Sequence, residues 1–187
     1  MEQIEPVELD AGPVRLRPWR EDDADVVCAA QQDPEIRLWA SGRGVVSRED
    51  AVALLKRLTG SEDRVSWAVV DAATGSLLGS VSVHSIDEQQ VDAQVGYWTA
   101  PAARARGVAV LAVDAACRWV FGAASVERIE LCHAVENPAS GRVAEKAGFL
   151  FEGRLRRSFR YGDGVKRDEL LWARLSDDPR PDLSSRS

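Results

Sequence analysis

The sequence predicts a single α/β domain built on a mixed sheet, and three observations carry that prediction. Segments of alternating apolar residues are interleaved with segments of helical spacing, in the order β-α-α-β-β-β-α-β-α-β-β. The length of 187 residues suits one domain at roughly 100–200 residues per domain. No linker, internal repeat or low-complexity stretch divides the chain.

The elements follow in order. Residues 1–12 are polar and expected to be flexible. Val14 and Leu16 alternate with Arg15 and Arg17, giving a first strand that Pro18 closes. Ala24, Val27, Cys28 and Gln31 have helical spacing behind a capping Asp22 or Asp23, and Asp33-Pro34 stops that helix. Glu35 to Gly44 carries Ile36, Leu38 and Trp39, then the loop Ser41-Gly42-Arg43-Gly44. Ser47 to Asp50 reads as a capping box for a second helix, with Val52, Leu54, Leu55 and Leu58 as its apolar stripe. Strands are expected at 67–70 and 77–83, joined by the turn 71–75, and a fourth at 93–99. The loop 101–106 leads to an apolar helix from about 107 to 121. A fifth strand at 126–135, a short helix at 138–147 and strands at 149–159 and 166–175 complete the domain, 13–175. The tail, 176–187, is polar and expected to be flexible.

Composition narrows the function. With 45% hydrophobic and 29% charged residues the chain has an ordinary globular make-up, which excludes a chain disordered throughout and a collagen-like fibre. Its 24 basic and 30 acidic residues leave a net charge of −6, which argues against a nucleic-acid binder. Cys28, Cys117 and Cys132 form no paired motif and read as reduced thiols. With two histidines the chain is poor in metal ligands, and no metal is expected. The N-terminus lacks a signal peptide, and no apolar run approaches the ~18 residues of a membrane span. The expected location is the cytoplasm, with no membrane partner.

Chemistry concentrates in two stretches. Arg104-Ala105-Arg106-Gly107-Val108-Ala109 lies between a strand and a helix. Small residues there allow close backbone approach, and a helix start offers unpaired N–H groups and partial positive charge. That combination suits phosphate or pyrophosphate, although an ordinary tight turn with solvated arginines would look the same. Neither G-x-x-x-x-G-K-[ST] nor G-x-G-x-x-G is present, which argues against nucleotide-triphosphate and dinucleotide loops. The second stretch is Asn137 to Phe149. Asn137, Pro138 and Gly148 suit the cap, first turn and end of a helix, which leaves Ser140 near its N-terminus.

Here the sequence resembles a family. Arg104-x-x-Gly107-x-Ala109 is similar to the acyl-CoA loop of the GNAT N-acetyltransferases. Asn137-x-x-Ser140 with Glu145-Lys146-x-Gly148-Phe149 resembles the branch of the ribosomal-protein acetyltransferases RimJ and RimL, as do Gly96-Tyr97-Trp98 and Tyr161-Gly162-Asp163-Gly164. The resemblance implies a mostly antiparallel sheet of about seven strands, splayed between the fourth and fifth, with helices on both faces. It implies acetyl-CoA, or another acyl-CoA, as cosubstrate. Arg104, Arg106, Gly107, Val108, Ala109 and Val110 would hold its pyrophosphate. Trp98, Thr99 and Asn137 would hold the pantetheine arm, and Ser140 would bind beside the sulfur and protonate the leaving thiolate. The implied reaction is direct attack of a primary amine on the thioester, through a tetrahedral intermediate.

The acceptor is a protein N-terminus or a small amine, amine-bearing natural products included. The other class of reading is a CoA-binding sensor without turnover. Partners are acyl-CoA and the amine, and a homodimer is compatible with the sequence. Many members of the branch carry Glu where Gln94 stands, and Gln cannot act as a base. Glu136 is then a candidate water-mediated base, or a solvated strand end. His84 and Trp39 are candidate substrate contacts, with structural hydrogen bonding and simple packing as their alternatives. His133 reads as a satisfied core histidine. Arg154, Arg156, Arg157 and Arg160 read as a solvated edge. Ala105 replaces a frequent Gly, and its methyl fits if the local φ is negative.

Overall fold

The computed structural model describes residues 4–40 and 44–183. Eight strands form one sheet: β1 (Leu9–Ala11), β2 (Val14–Arg17), β3 (Arg64–Asp71), β4 (Leu77–Asp87), β5 (Asp92–Thr99), β6 (Arg128–Ala134), β7 (Leu150–Arg160) and β8 (Lys166–Leu175). The helices are α1 (Ala24–Ala30), α2 (Pro34–Trp39), α3 (Arg48–Thr59), α4 (Val108–Ala123) and α5 (Pro138–Lys146). Strand order is β1-β2-β3-β4-β5-β6-β8-β7. Every neighbouring pair is antiparallel except β5 and β6. No described helix is long and apolar enough to cross a membrane.

Two elements exceed the sequence expectation. β1 lies inside the segment expected to be flexible, and raises the strand count from seven to eight. It is three residues long, too short for alternation to show. Gly12, at φ +70°, makes the turn that returns it onto β2. The second is α2. Asp33-Pro34 ends α1 as expected, but it also starts a helix. The Asp33 carboxylate accepts from the Glu35 and Ile36 amides, with Pro34 in the first turn. The loop residues Ser41, Gly42 and Arg43 lie outside the described residues.

Period-two alternation divides the core between two faces. On β3, Trp67 and Val69 belong to the cluster that packs beneath α4, while Ala68 and Val70 join the cluster of α1 and α3. Burying a side chain the size of Val69 or Val70 contributes roughly 1.5–3 kcal/mol, and the Ala68 methyl less. The capping box at α3 is present, with Ser47 accepting from the Asp50 amide and Asp50 from the Ser47 amide. A buried ion pair, Arg174 to Asp114 at 2.8 Å, ties β8 to α4, and Arg174 also donates to the Ala147 carbonyl.

β7 is the exposed edge strand, where the arginine run sits. Past β8 the tail stays attached through the Ser176 amide to the Glu127 carbonyl and through Pro181, packed beside Gly148. Residues 184–187 lie outside the described residues.

The site is positioned by the junction of β5 and β6. The two strands pair only at Asp92–Arg128, Ala93–Ile129 and Gln94–Glu130. Beyond Gln94 they diverge, β5 running on to Thr99 beside β4 and β6 to Ala134 beside β8. The sheet is therefore split at the place expected, between the fourth and fifth strands of the sequence reading.

Candidate active site

The split opens into a cleft of about 1950 Å³. Its walls come from β4, β5, β6 and β8, the N-terminal ends of α4 and α5, and the end of α2.

At one end stands the start of α4. Gly107 is its N-cap, at φ +77° and ψ 0°, and it provides no side chain to cap the helix. The first bond into the helix is from the Leu111 amide to the Gly107 carbonyl. The amides of Val108, Ala109 and Val110 therefore have no partner within the helix. The Val108 and Val110 side chains are buried in the core, which fixes the turn, while Gly107, Val108, Ala109 and Val110 all border the cleft. Oriented, unpaired amides at the positive end of a 16-residue helix could hold an anion.

The two arginines of this loop behave differently. Arg104 turns to Asp33 and Glu35 and clamps the loop to the start of α2. Its bond to Asp33 and the two backbone amides hold that carboxyl below the usual carboxylate range, against the opposing effect of desolvation. Arg106 is half-exposed and lies 3.7 Å from Asp71, so its guanidinium borders the cleft with only a loose partner. Ala105 departs from expectation. Its φ is +59°, in the left-handed region, where the methyl costs energy that glycine would avoid.

Midway along the cleft, Trp98 and Thr99 end β5. Opposite them Asn137 caps α5, its side-chain oxygen accepting from the Ser140 amide. The Ser140 hydroxyl lies 2.8 Å from the Tyr97 hydroxyl. Burial pushes the Tyr97 phenol up to about 12, so it stays protonated at neutral pH and can donate to Ser140. Ser140 is then free to direct its own proton into the cleft. Gly141 follows because α5 sits directly on His133, whose Nε2 would lie 3.0 Å from a Cβ there. His133 is a buried, satisfied histidine, with Nδ1 near the Ala134 carbonyl and Nε2 accepting from the Trp172 indole.

The far end is aromatic. Trp39, at the end of α2, packs edge-on against Tyr161, with ring centroids 5.4 Å apart. Phe159 packs against Tyr161 at 5.0 Å. A close backbone approach sets this contact: a Cβ on Gly162 would fall 1.8 Å from the Arg37 carbonyl oxygen, and the Gly162 amide donates to Leu38. His84 borders the cleft, its ring over Gly96. Desolvation and the nearby Arg64 lower its pKa to about 4, so the ring is neutral at pH 7. Glu169, on β8, is buried in the cleft wall and accepts from Ser158 and Tyr161.

The cleft thus brings together Trp39, His84, Trp98, Thr99, Arg104, Arg106, Gly107, Val108, Ala109, Val110, Asn137 and Ser140. It does not include Glu136, which is exposed and forms no part of the described wall. Cys132 does border the cleft, but burial pushes its thiol up to about 12, which disfavours the thiolate needed of a nucleophile. Sequence reasoning overlooked Tyr97, Tyr161 and Glu169 as site groups. Tyr97 had a signal, since it sits between Gly96 and Trp98 on the strand that faces Ser140. Among the described residues no group of three potential ligands could hold a metal ion.

A chain of this topology, with an uncapped helix start at a split sheet, matches a known family. Residues 14–150 match the acetyltransferase (GNAT) domain, and the chain belongs to that family. It is 34% identical over 105 residues to YdaF of Bacillus subtilis (strain 168), covering 54% of this chain and 55% of that protein. It is 29% identical over 101 residues to the ribosomal-protein-serine acetyltransferase of Escherichia coli (strain K12), covering 54% of this chain and 56% of the relative. The matches therefore span about half the length of these two relatives. The structure of Mycobacterium smegmatis RimJ in complex with CoA-disulfide superposes with a TM-score of 0.80 at 25% identity, covering 91% of this chain and 87% of that one.

Proposed function

We propose that this chain transfers an acetyl group from acetyl-CoA to a primary amine, the amine attacking the thioester directly. The observation that carries the reading is the split itself. The uncapped start of α4 stands at one end of it, and the Ser140–Tyr97 pair stands partway along. The amides of Val108 to Val110, with Arg106 beside them, would take the pyrophosphate. Beyond Gln94 the facing edges of β5 and β6 have backbone groups unclaimed by each other, and the Trp98–Thr99 end of β5 with Asn137 would take the pantetheine amides.

The chemistry then follows from placement. Attack forms the N–C bond and a tetrahedral oxyanion, which an N–H on β5 stabilises. The adduct nitrogen loses a proton, and collapse re-forms the carbonyl and breaks the C–S bond. Ser140 gives the thiolate its proton and recovers one from the Tyr97 hydroxyl, which solvent replenishes. Holding amine and thioester together supplies much of the acceleration, because effective molarity replaces a bimolecular encounter.

The two relatives named for ribosomal acetylation favour a protein acceptor, which we take to be a protein N-terminus in the cytoplasm, with small amines as the other class. The test is release of free CoA thiol from acetyl-CoA in the presence of pentapeptides with free N-termini and of a panel of small primary amines. Turnover with either class supports the reading. Tight acetyl-CoA binding with no thiol release from any acceptor would replace it with the sensor reading.

A further inference from the structure

The acceptor end of the cleft holds a carboxylate with an unusual balance of partners. Glu169 is 8% exposed. Its Oε2 accepts from the Ser158 hydroxyl at 2.8 Å and its Oε1 from the Tyr161 hydroxyl at 2.9 Å. Among the described residues no Lys or Arg forms an ion pair with it. Its neighbours differ: Asp168 is paired with Arg154, and Asp163 with Arg167. A buried carboxylate without a cation is expensive, and two hydroxyl donors offset that only in part. They also leave lone pairs on both oxygens unused. A cation brought in through the cleft would complete its set of partners.

The surroundings suit one kind of cation. Trp39, Phe159 and Tyr161 form the aromatic contacts next to the carboxylate. Aromatic faces beside a carboxylate favour an ammonium group on a slim apolar carrier. The charged and titratable groups coupled to this corner are few. Tyr161 and Cys132 both feel Glu169, and both are pushed towards their neutral forms. Arg167 reaches over Trp39 and Tyr161 while bonded to Asp163. Position in the fold completes the case. Glu169 pairs across the ladder with Ala134, the last residue of β6, three residues before the Asn137 cap that leads to Ser140.

We infer that Glu169 binds the ammonium of the acceptor and takes its proton, the role that Gln94 cannot perform and for which Glu136 is misplaced. The inference rests on the acetyl-transfer reading above. The ammonium N–H gives its proton to a Glu169 oxygen, and the freed lone pair forms the bond to the thioester carbon. The nitrogen of the adduct loses a second proton to solvent as the C–S bond breaks. Sulfur leaves with the bonding pair and is protonated by Ser140. The net products are the amide, CoA thiol and one proton. The subsite selects cationic primary amines with an uncrowded α-carbon or methylene, which free peptide N-termini and small alkylamines both present.

The experiment compares wild type with Glu169→Gln, which keeps size and hydrogen bonding but removes the charge and the base. Calorimetry measures acetyl-CoA affinity, and thiol release measures kcat and KM for the peptide and amine panel. Expected is a loss of at least 100-fold in kcat/KM for the amine, in line with the ~10²–10⁴-fold worth of a general base, with acetyl-CoA affinity within twofold. Tyr161→Phe and Ser158→Ala each remove one hydroxyl donor and should cost three- to tenfold. They decide the matter if Glu169→Gln does not fold. An active wild type whose Glu169→Gln variant keeps kcat/KM within threefold, or two hydroxyl-deleted variants both at wild-type kcat/KM, would overturn the assignment alone. A wild type that binds acetyl-CoA and acetylates nothing in the panel would overturn the transfer reading, and this assignment with it.

Discussion

The two ends of the cleft are built from different material. The proposed cofactor end offers backbone: the amides of one helix start and the open edges of two strands that have parted. The acceptor end uses side chains from separate elements, Trp39 from α2, His84 from β4, Phe159 from β7 and Glu169 from β8, with Tyr161 from the loop between those strands. Backbone recognition is indifferent to most substitutions, since only sterics and φ constrain the sequence. Side-chain recognition changes with each substitution. A fold so divided can hold one cosubstrate constant and vary the acceptor.

The comparison is broken most sharply at Gly107. Gly107→Glu places a carboxylate at the helix start and strains a left-handed position. Calorimetry should show acetyl-CoA affinity lost beyond 100-fold in a folded protein. Near-normal affinity would remove the loop from the cofactor end. Ser140 stands where the two ends meet. Ser140→Ala should lower kcat more than tenfold with acetyl-CoA affinity within a few-fold, because the hydroxyl acts on the departing thiolate. Unchanged kcat with a lowered melting temperature would assign Ser140 to the α5 start, where a lost hydroxyl costs roughly 1 kcal/mol.

The acceptor end leaves a mark on stability. The unfolded chain protonates His84 near its ordinary 6.5, but the folded chain only near 4. Its contribution is complete above pH 6.5 and is lost as the pH falls from there towards 4. Urea unfolding at pH 7.5 and 4.5 should show a smaller loss of stability in His84→Gln than in wild type. An equal loss in both would refute the buried neutral ring. The smallest effect belongs to the cofactor loop. Ala105→Gly relieves a left-handed alanine and should stabilise by about 1 kcal/mol, less the backbone entropy of glycine. A melting temperature a few degrees higher supports this, and a lower one would show that the loop depends on the methyl.

That division also governs what the sequence discloses. The Arg104–Val110 loop, Asn137 and Ser140 are local patterns, each set by caps and turns a few residues long, so a proposed cofactor end could be read directly from the sequence. Trp39 and His84 could be singled out only as isolated residues. Glu169 carried no signal and Tyr161 only its place in the Tyr161–Gly164 motif, because their meaning as cleft groups depends on a β8 register and on Gly162 touching Arg37, contacts between segments distant in sequence. The same limit hid α2. Asp33-Pro34 is a stop and a start at once, and in a helix of only six residues no periodicity could declare itself. Ala105 was misjudged for a third reason: φ is a property of the turn, and the turn was set by Gly107 and the Arg104 clamp.

The three-residue contact between β5 and β6 has a consequence for the energetics of the whole chain. Among the described residues these strands are the ladder's only link between the β1–β5 sheet and the β6–β8–β7 group. Backbone groups along the gap exchange with water until something lies between them. A cosubstrate that spans the gap becomes, in effect, a strand supplied from solution, and ties the two groups at no cost to the folded sequence. Its binding adds stability as RT ln(1 + [L]/Kd), about 2.7 kcal/mol at a hundredfold excess over Kd. Amide exchange should therefore slow most along β6 and the end of β5. With acetyl-CoA as that strand, the resistance of the chain to proteolysis would become a readout of the local acetyl-CoA concentration.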